Sequence, residues 1–493
     1  MSRWYGRNGA GSPKGVRPVR ERSIAEVARL AGAEPPDGGG TTGPDVVIDS
    51  RLATPGSVFV ALPGEHADGH DFIAAAAAGG AAAAICTRVT GAPLAHLVVP
   101  DALRGLSDLA RGVVAEATAA GLRCVGLTGS SGKTSTKDLL GQVLAAAGET
   151  VSPTGSFNNE IGVPLTALRI TPGTRYLVSE LGARGQGHIT WLCGIVPPQV
   201  GMVLNVGHAH VGEFGSVAAI ARAKGELVEA VPAGGWAVLN ADDPLVAAMA
   251  GRTRARIALF SLTGDPAATD PAAELRVWAE DLAADDLQRH SFTLRAAGEV
   301  DARLPVTLRG AGRHQVANAL AAAAAALVLD VPPATVAEAL GGAVARSQWR
   351  MQLIRRPDGG LLVNDSYNAN PDSMRAALTT VAGMRRPGGR LVAVLGDMLE
   401  LGDSAEPAHE ELGTLAAGLG FEVVAVGAWA DAIARGVGRA AGTVTRVVDR
   451  EEAVAVTARD LEPSDVVVVK ASRGLALDRV ADALAAGAAE GTA

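Results

Sequence analysis

One stretch limits what this chain can fold into more than any other. A short apolar run, Cys124-Val125-Gly126-Leu127, meets Thr128-Gly129-Ser130-Ser131-Gly132-Lys133-Thr134. A helical pattern follows, with Leu139, Leu140, Val143, Leu144 and Ala147 on one face, closed by Gly148. Strand, glycine loop and helix in that order are the building unit of α/β proteins. Glycines in such a loop let backbone N–H groups close round a polyphosphate, and the helix N-terminus adds its dipole. Lys133 supplies a compact positive charge, and the Thr134 hydroxyl suits magnesium. The stretch predicts a site for ATP or GTP built from Thr128, Gly129, Ser130, Ser131, Gly132, Lys133, Thr134 and Ser135. It departs from the general pattern in one place: Leu127 stands where the first glycine belongs.

Length and charge narrow the reading. A chain of 493 residues, 48% hydrophobic and 19% charged, is globular and too long for a single core, so about three domains are expected. A net charge of -8 with 3% aromatics argues against a nucleic-acid partner, which needs a basic stripe and stacking rings. Cys86, Cys124 and Cys193 lie far apart in apolar surroundings, as reduced, inert core thiols of a cytoplasmic protein do. The basic stretch 1–22 has no apolar segment after it, so it reads as a loose tail and not a secretory leader. The alanine-rich runs 74–84 and 321–326 are too short and weakly apolar for membrane insertion.

Lysine is scarce. Lys14, Lys133, Lys137, Lys224 and Lys470 are the only ones, and every other residue counted with them is arginine. A lysine kept in such a chain points to a task that needs a primary amine or a compact ammonium, with chance retention as the plainer reading for Lys14 and Lys137.

In chain order, residues 23–32 predict a helix. Strands at 46–48 and 57–62 frame a small α/β domain that ends near residue 101. A helix over 103–120 leads into the glycine-loop strand. Residues 155–164 are rich in Asn, Gly and Pro and read as a loop. Apolar strands at 177–182 and 200–206 end beside Glu180 and His210, which either face a nucleotide-bound metal or are a surface carboxylate and a loop imidazole. Lys224 lies on an otherwise Ala and Leu helix face, where it needs a counter-charge or a modification. Residues 262–308 suggest antiparallel strands, and a long alanine-rich helix starts near residue 310. From residue 346, strands at 361–365, 391–396, 422–427 and 466–470 alternate with helices as in a Rossmann-like parallel sheet, without the dinucleotide fingerprint.

Several separated motifs together resemble those of the Mur ligase family over residues 49–473. They are the glycine loop with its Leu127, Ser156-Phe157-Asn158-Asn159-Glu160, Glu180-Leu181-Gly182-Ala183-Arg184, Asn205-Val206-Gly207-His208-Ala209-His210, and Tyr367-Asn368-Ala369-Asn370-Pro371-Asp372-Ser373-Met374. The last is most similar to the member that adds D-alanyl-D-alanine (D-Ala-D-Ala) to UDP-N-acetylmuramoyl-tripeptide (UDP-MurNAc-tripeptide), and differs from the ligase that adds the third residue. The resemblance implies a three-domain α/β architecture: a UDP-substrate domain at 23–101, a central P-loop ATP-binding domain at 102–346, and a Rossmann-like domain at 347–493.

It also implies a peptidoglycan precursor ligase, monomeric and cytoplasmic, that uses ATP and two Mg2+ ions and proceeds through an acyl phosphate. Lys133, Glu180, His210 and Lys224 would be catalytic. Thr134, Glu180, His210 and Lys224 as a carbamate would hold metal. Asn318, Arg350, Asp365, Asn368 and Asn370 would lie around ATP. Asp49, Ser50, Arg51, Asn158, Asn159, Arg184, Lys470, Ser472 and Arg473 would contact the other substrates. Gln315 replaces an asparagine common in relatives, and Ala471 replaces a glycine. The alternatives are another ligase of the superfamily, or a P-loop protein whose nucleotide only switches binding.

Overall fold

The computed structural model describes residues 21–37, 39–64, 67–207, 211–270 and 272–487, and in them capping residues and hydrophobic period set the element boundaries. The predicted tail lies outside the described residues apart from Glu21 and Arg22. Ser23 accepts the Glu26 N–H to start helix Ile24–Ala31, and Gly32 ends it at φ +76°.

The described chain divides into two units. One runs to Gly126 and adds Gly148–Leu181 and Thr190–Gln199; the other comprises Leu127–Ala147, Gly182–Ile189 and everything from Val200. In the first, strands Val46–Val47, Val58–Val60, Ala83–Cys86 and Ala95–Val98 pair in that order, all parallel. The alanine-rich run is split: helix Ile73–Ala78 stops before the turn at Gly79 and Gly80, and the rest enters strand Ala83–Cys86. Strand Tyr176–Glu180 is buried at every residue and delivers Glu180 at its end.

In the second unit, strands Val200–Val203, Trp236–Asn240, Arg256–Ser261 and Leu275–Ala284 are successive parallel neighbours. Antiparallel Arg289–Gly298 and Ala302–Ala311 extend this sheet. Helix Arg313–Leu327 is buried from Val316 onward except Ala317. Its alanines have a packing reason: it lies against helix Lys133–Ala145 and the neighbouring strands, where small side chains permit close approach. The last sheet runs Gln352–Arg355, Leu361–Asn364, Val466–Lys470, Leu391–Leu395, Phe421–Val426, Val444–Val447, parallel throughout except for the first strand.

The central strand of that sheet, Val466–Lys470, is buried on both faces. Val466 and Val468 enter one core, Val467 and Val469 the other. Two-sided burial is why it reads as an unbroken valine run. Leu361–Asn364 and Leu391–Leu395 flank it in parallel register, so Asp365 and Lys470 come together at the carboxyl edge, where open α/β sheets bind ligands. Among the described residues no helix is long and apolar enough to cross a membrane.

Candidate active site

The glycine loop is shaped by its neighbours. Gly132 opens helix Lys133–Ala145 at φ +77°, and a side chain there would meet Asn318 Oδ1 at 2.6 Å, so both the backbone angle and the space require glycine. Lys133 Nζ donates to Gly129 O at 2.6 Å and so lies back across the loop. Thr128 and Thr134 are buried, and Ser135 is half-buried in the first helical turn.

The strand predicted over 200–206 leaves its sheet after Val203, and the reason is chemical: its last residues clip the loop. Asn205 Oδ1 accepts the Ser131 N–H at 2.9 Å, its Nδ2 donates to Ser131 O at 3.2 Å, and its carbonyl accepts the Ser130 N–H at 3.1 Å. Gly207 N–H donates to Ser130 Oγ at 2.9 Å. The clip is itself braced, by Asn240 Nδ2 on Leu204 O at 2.8 Å and by Asp243 Oδ2 on the Val206 N–H at 2.8 Å. His210 lies outside the described residues.

Lys224 sits in helix Val217–Glu229, 5% exposed, and no hydrogen bond or carboxylate reaches its Nζ among the described residues. Burial pulls its pKa well below the lysine value of 10.5, and the Lys133 charge pushes the same way. A buried lysine needs a counter-charge or a modification, and the described residues supply no counter-charge.

In the first unit Glu180 is 1% exposed. Its Oε1 accepts from Asn158 Nδ2 at 2.8 Å, while Oε2 is buried without a hydrogen-bond partner among the described residues. Asn159 Oδ1 takes the Gly162 N–H at 2.9 Å and steadies the start of helix Gly162–Ala167, which claims the last three residues of the predicted loop. Pro164 is tolerated there because a first-turn N–H has no helical acceptor to lose. Asp49 caps the turn Ser50–Leu52 and pairs with the exposed Arg51, whose guanidinium lowers the Asp49 carboxyl pKa. His70 spends both ring nitrogens internally, on Asp68 Oδ1 at 2.6 Å and the Thr87 N–H at 3.0 Å, and so braces its loop. In the second unit Arg184 is exposed, its N–H donating to His188 Nδ1 at 3.3 Å.

The remaining candidates gather at the carboxyl edge of the last sheet. Lys470 is 2% exposed, and its ammonium donates to Asp365 Oδ2 at 2.6 Å and to Asn368 O at 2.9 Å. Asp365 Oδ1 accepts the Met351 N–H at 2.9 Å. Both groups are therefore engaged with the chain itself, and they fix the segment that carries Arg350, whose guanidinium stacks 4.0 Å from the Tyr367 ring centroid. Asn370 caps helix Pro371–Ala382 through Ser373 N at 2.8 Å. Ser472 Oγ accepts the Leu399 N–H at 2.9 Å. Arg473 is held between Asp478, at 2.6 Å, and the Trp349 ring, at 4.2 Å. Asn368, Asn370, Glu400, Ser472 and Arg473 line a cavity of about 140 Å³.

Three family descriptions match the chain: Mur ligase family, catalytic domain, over residues 45–112; Mur ligase middle domain over 127–326; and Mur ligase, glutamate ligase domain over 349–473. UDP-N-acetylmuramoyl-tripeptide--D-alanyl-D-alanine ligase of Mycobacterium bovis is 44% identical, with 94% of this chain and 98% of that protein covered. The chain belongs to the Mur ligase family. Among solved structures, MurF from Acinetobacter baumannii superposes with a TM-score of 0.83 at 31% identity, covering 95% of this chain and 99% of that one. MurF ligase from Thermotoga maritima, determined in complex with ADP, gives 0.74 at 29% identity, covering 89% and 96%. The three-domain Mur ligase fold expected from the motifs is borne out.

The sequence of this Mur ligase left Asn205, Asn240 and Asp243 quoted without a role and Trp349 unnoticed. Polar residues at strand ends were the available signal: Asn240 ends its strand, and Asp243 precedes the helix-opening Pro244. Among the described residues no group of three His, Cys, Asp or Glu is placed to hold a metal. The unpartnered Glu180 Oε2 still fits a hard cation, because a buried carboxylate oxygen without a donor is an unmet demand for positive charge.

Proposed function

We propose that this chain is an ATP-dependent, ADP-forming ligase that joins D-alanyl-D-alanine to UDP-N-acetylmuramoyl-tripeptide in peptidoglycan synthesis. The observation that carries this is the near full-length likeness to the D-alanyl-D-alanine ligase of Mycobacterium bovis, with the nucleotide loop intact. We place the reaction in the cytoplasm, where ATP is at hand. Residues 23–101 are assigned to the UDP end, 102–346 to ATP, and 347–493 to ATP and the dipeptide.

A carboxylate does not acylate an amine, because its leaving group would be oxide. Transfer of the γ-phosphoryl group to the tripeptide's terminal carboxylate oxygen breaks the bond to ADP and gives an acyl phosphate. The dipeptide amine then attacks the carbonyl carbon through a tetrahedral adduct. The C–O bond to phosphate breaks, a proton leaves the nitrogen, and inorganic phosphate departs with one former carboxylate oxygen. Lys133 and the loop N–H groups follow the negative charge as it moves. Arg350, held by Tyr367 and the Asp365–Lys470 pair, gives the phosphates a second cation, and Asn318 faces the base.

Thr134, Glu180, His210 and Lys224 are the proposed holders of two Mg2+ ions. Bound there, Mg2+ would supply positive charge to the phosphate oxygens. Lys224 joins that set as a carbamate: its neutral amine adds CO2 and releases a proton, turning a buried cation into an anion. The pKa depression from burial and Lys133 favours the neutral amine that this addition needs. Arg473 and the cavity beside it are assigned to the dipeptide.

Release of ADP should require the UDP-tripeptide and D-Ala-D-Ala together, and 18O placed in the tripeptide's terminal carboxylate should appear in inorganic phosphate. ADP release that ignores omission of the dipeptide would overturn the ligase reading.

A further inference from the structure

Gln315 is the one residue of the nucleotide region where the family pattern gives no role, and its contacts supply one. It lies in the first turn of helix Arg313–Leu327, three residues before Asn318. Thr136 Oγ1 donates to Asn318 Oδ1 at 3.2 Å. Asn318 Nδ2 donates to Gln315 Oε1 at 3.2 Å, and Gln315 Nε2 stands 3.3 Å from His314 Nε2. Desolvation lowers the His314 pKa to about 4; the nearby Asp365 carboxylate opposes this, and Lys470 and His290 add to it. The imidazole is therefore neutral at pH 7, and in its Nδ1–H tautomer it accepts the Gln315 amide N–H at Nε2. Its ring lies against Gly312, at φ +104°, where any side chain would come within 2.5 Å of it.

The hydrogen bonds point one way, from Thr136 through Asn318 and Gln315 to His314. Reversing the Asn318 amide would bring its oxygen against Gln315 Oε1. With His314 in that tautomer, reversing both would bring Gln315 Oε1 against the lone pair of Nε2. The His314 Nδ1–H tautomer thus sets, through the row, which end of the Asn318 amide is oxygen, and leaves that side chain one N–H and one lone pair in a set order. An amide with that order pairs with the N6–H and N7 edge of adenine and meets an acceptor in both places on guanine. We infer that Gln315, anchored by His314 held as its Nδ1–H tautomer, is a positioning residue that orients the Asn318 amide and thereby sets the preference for ATP over GTP. This rests on the reading that Asn318 faces the base.

The test is kcat/KM for ATP and for GTP in the complete ligation reaction, with melting temperature recorded alongside. Gln315→Leu should lower the ATP-to-GTP ratio roughly ten-fold, the worth of one lost oriented contact, mainly by raising KM for ATP. Gln315→Glu keeps an acceptor toward Asn318, with His314 shifting to its Nε2–H tautomer to donate to the second oxygen, and should retain most of the ratio. Asn318→Leu should lower the ratio at least as far. An unchanged ratio in Gln315→Leu, with a lowered ratio in Asn318→Leu, overturns the relay. An unchanged ratio in Asn318→Leu overturns the reading on which it rests. Should Gln315→Leu fail to fold, equal loss of the ratio in Gln315→Glu and Asn318→Leu overturns the relay by itself.

Discussion

Two buried lysines of the second unit solve the same electrostatic problem in opposite ways. Lys470, at the carboxyl edge of the last sheet, is surrounded by acceptors: Asp365 Oδ2 at 2.6 Å and Asn368 O at 2.9 Å. Lys224, in helix Val217–Glu229, has none among the described residues, and Lys133 adds like charge to the cost of its burial. A buried cation must be paired or give up its proton. The first lysine is a crosslink between loops, and the second is an amine held ready for chemistry. Residue type and burial are alike; the neighbours decide.

The largest expected effect separates the two by activity. Lys224→Arg keeps a cation but cannot become a carbamate, so turnover should fall by about 10³, on the scale of losing one preorganised electrostatic group. Because Arg cannot shed its charge in that site, some stability should be lost as well, so Lys224→Met is the control: uncharged and equally unable to form a carbamate, it should stay folded by circular dichroism and melting and be as inactive. An active Lys224→Arg enzyme would erase the distinction. Lys470→Met should do the reverse in kind. It leaves the half-buried Asp365 beside Met351 N without its cation, and stability should drop by about 2 kcal/mol in denaturant titration. A Lys470→Met protein as stable as the parent would mean that the pair only fills space.

The same contrast shows what sequence can carry. The scarcity of lysine and the apolar helix face around Lys224 made its predicament legible, because desolvation follows from local pattern. The partners of Lys470 did not: Asp365 and Asn368 are about a hundred residues away and arrive only because strand Val466–Lys470 pairs with Leu361–Asn364. The glycine loop and the valine strand were equally local, and were found; Glu180 was placed at the end of its strand, but its burial stayed open against a surface carboxylate. The Asn205 clip was not, since an asparagine after a strand looks like any turn residue until its carbonyl and amide meet Ser130 and Ser131. Residues 352–355 and 444–447, both edge strands, were missed for a related reason: half-exposed strands of four residues carry too little hydrophobic period.

The smallest effect sharpens the comparison through pH and CO2. Lys224 binds its proton more weakly in the folded chain than in the unfolded one, so above the ordinary value of 10.5 its burial costs nothing in this respect. As pH falls below that value the unfolded chain gains a proton that the folded chain resists, and stability declines toward the depressed folded pKa. Carbamate formation removes the amine from this balance and turns its repulsion from Lys133 into attraction. At pH 8, bicarbonate should therefore raise the melting temperature by about 2 °C over CO2-free buffer, the shift expected from roughly 1 kcal/mol in a domain of this size. Lys470, already paired, gives no such response, so Lys224→Met should abolish the bicarbonate effect and Lys470→Met should leave it intact. Equal shifts in parent and Lys224→Met would assign the effect to some other amine.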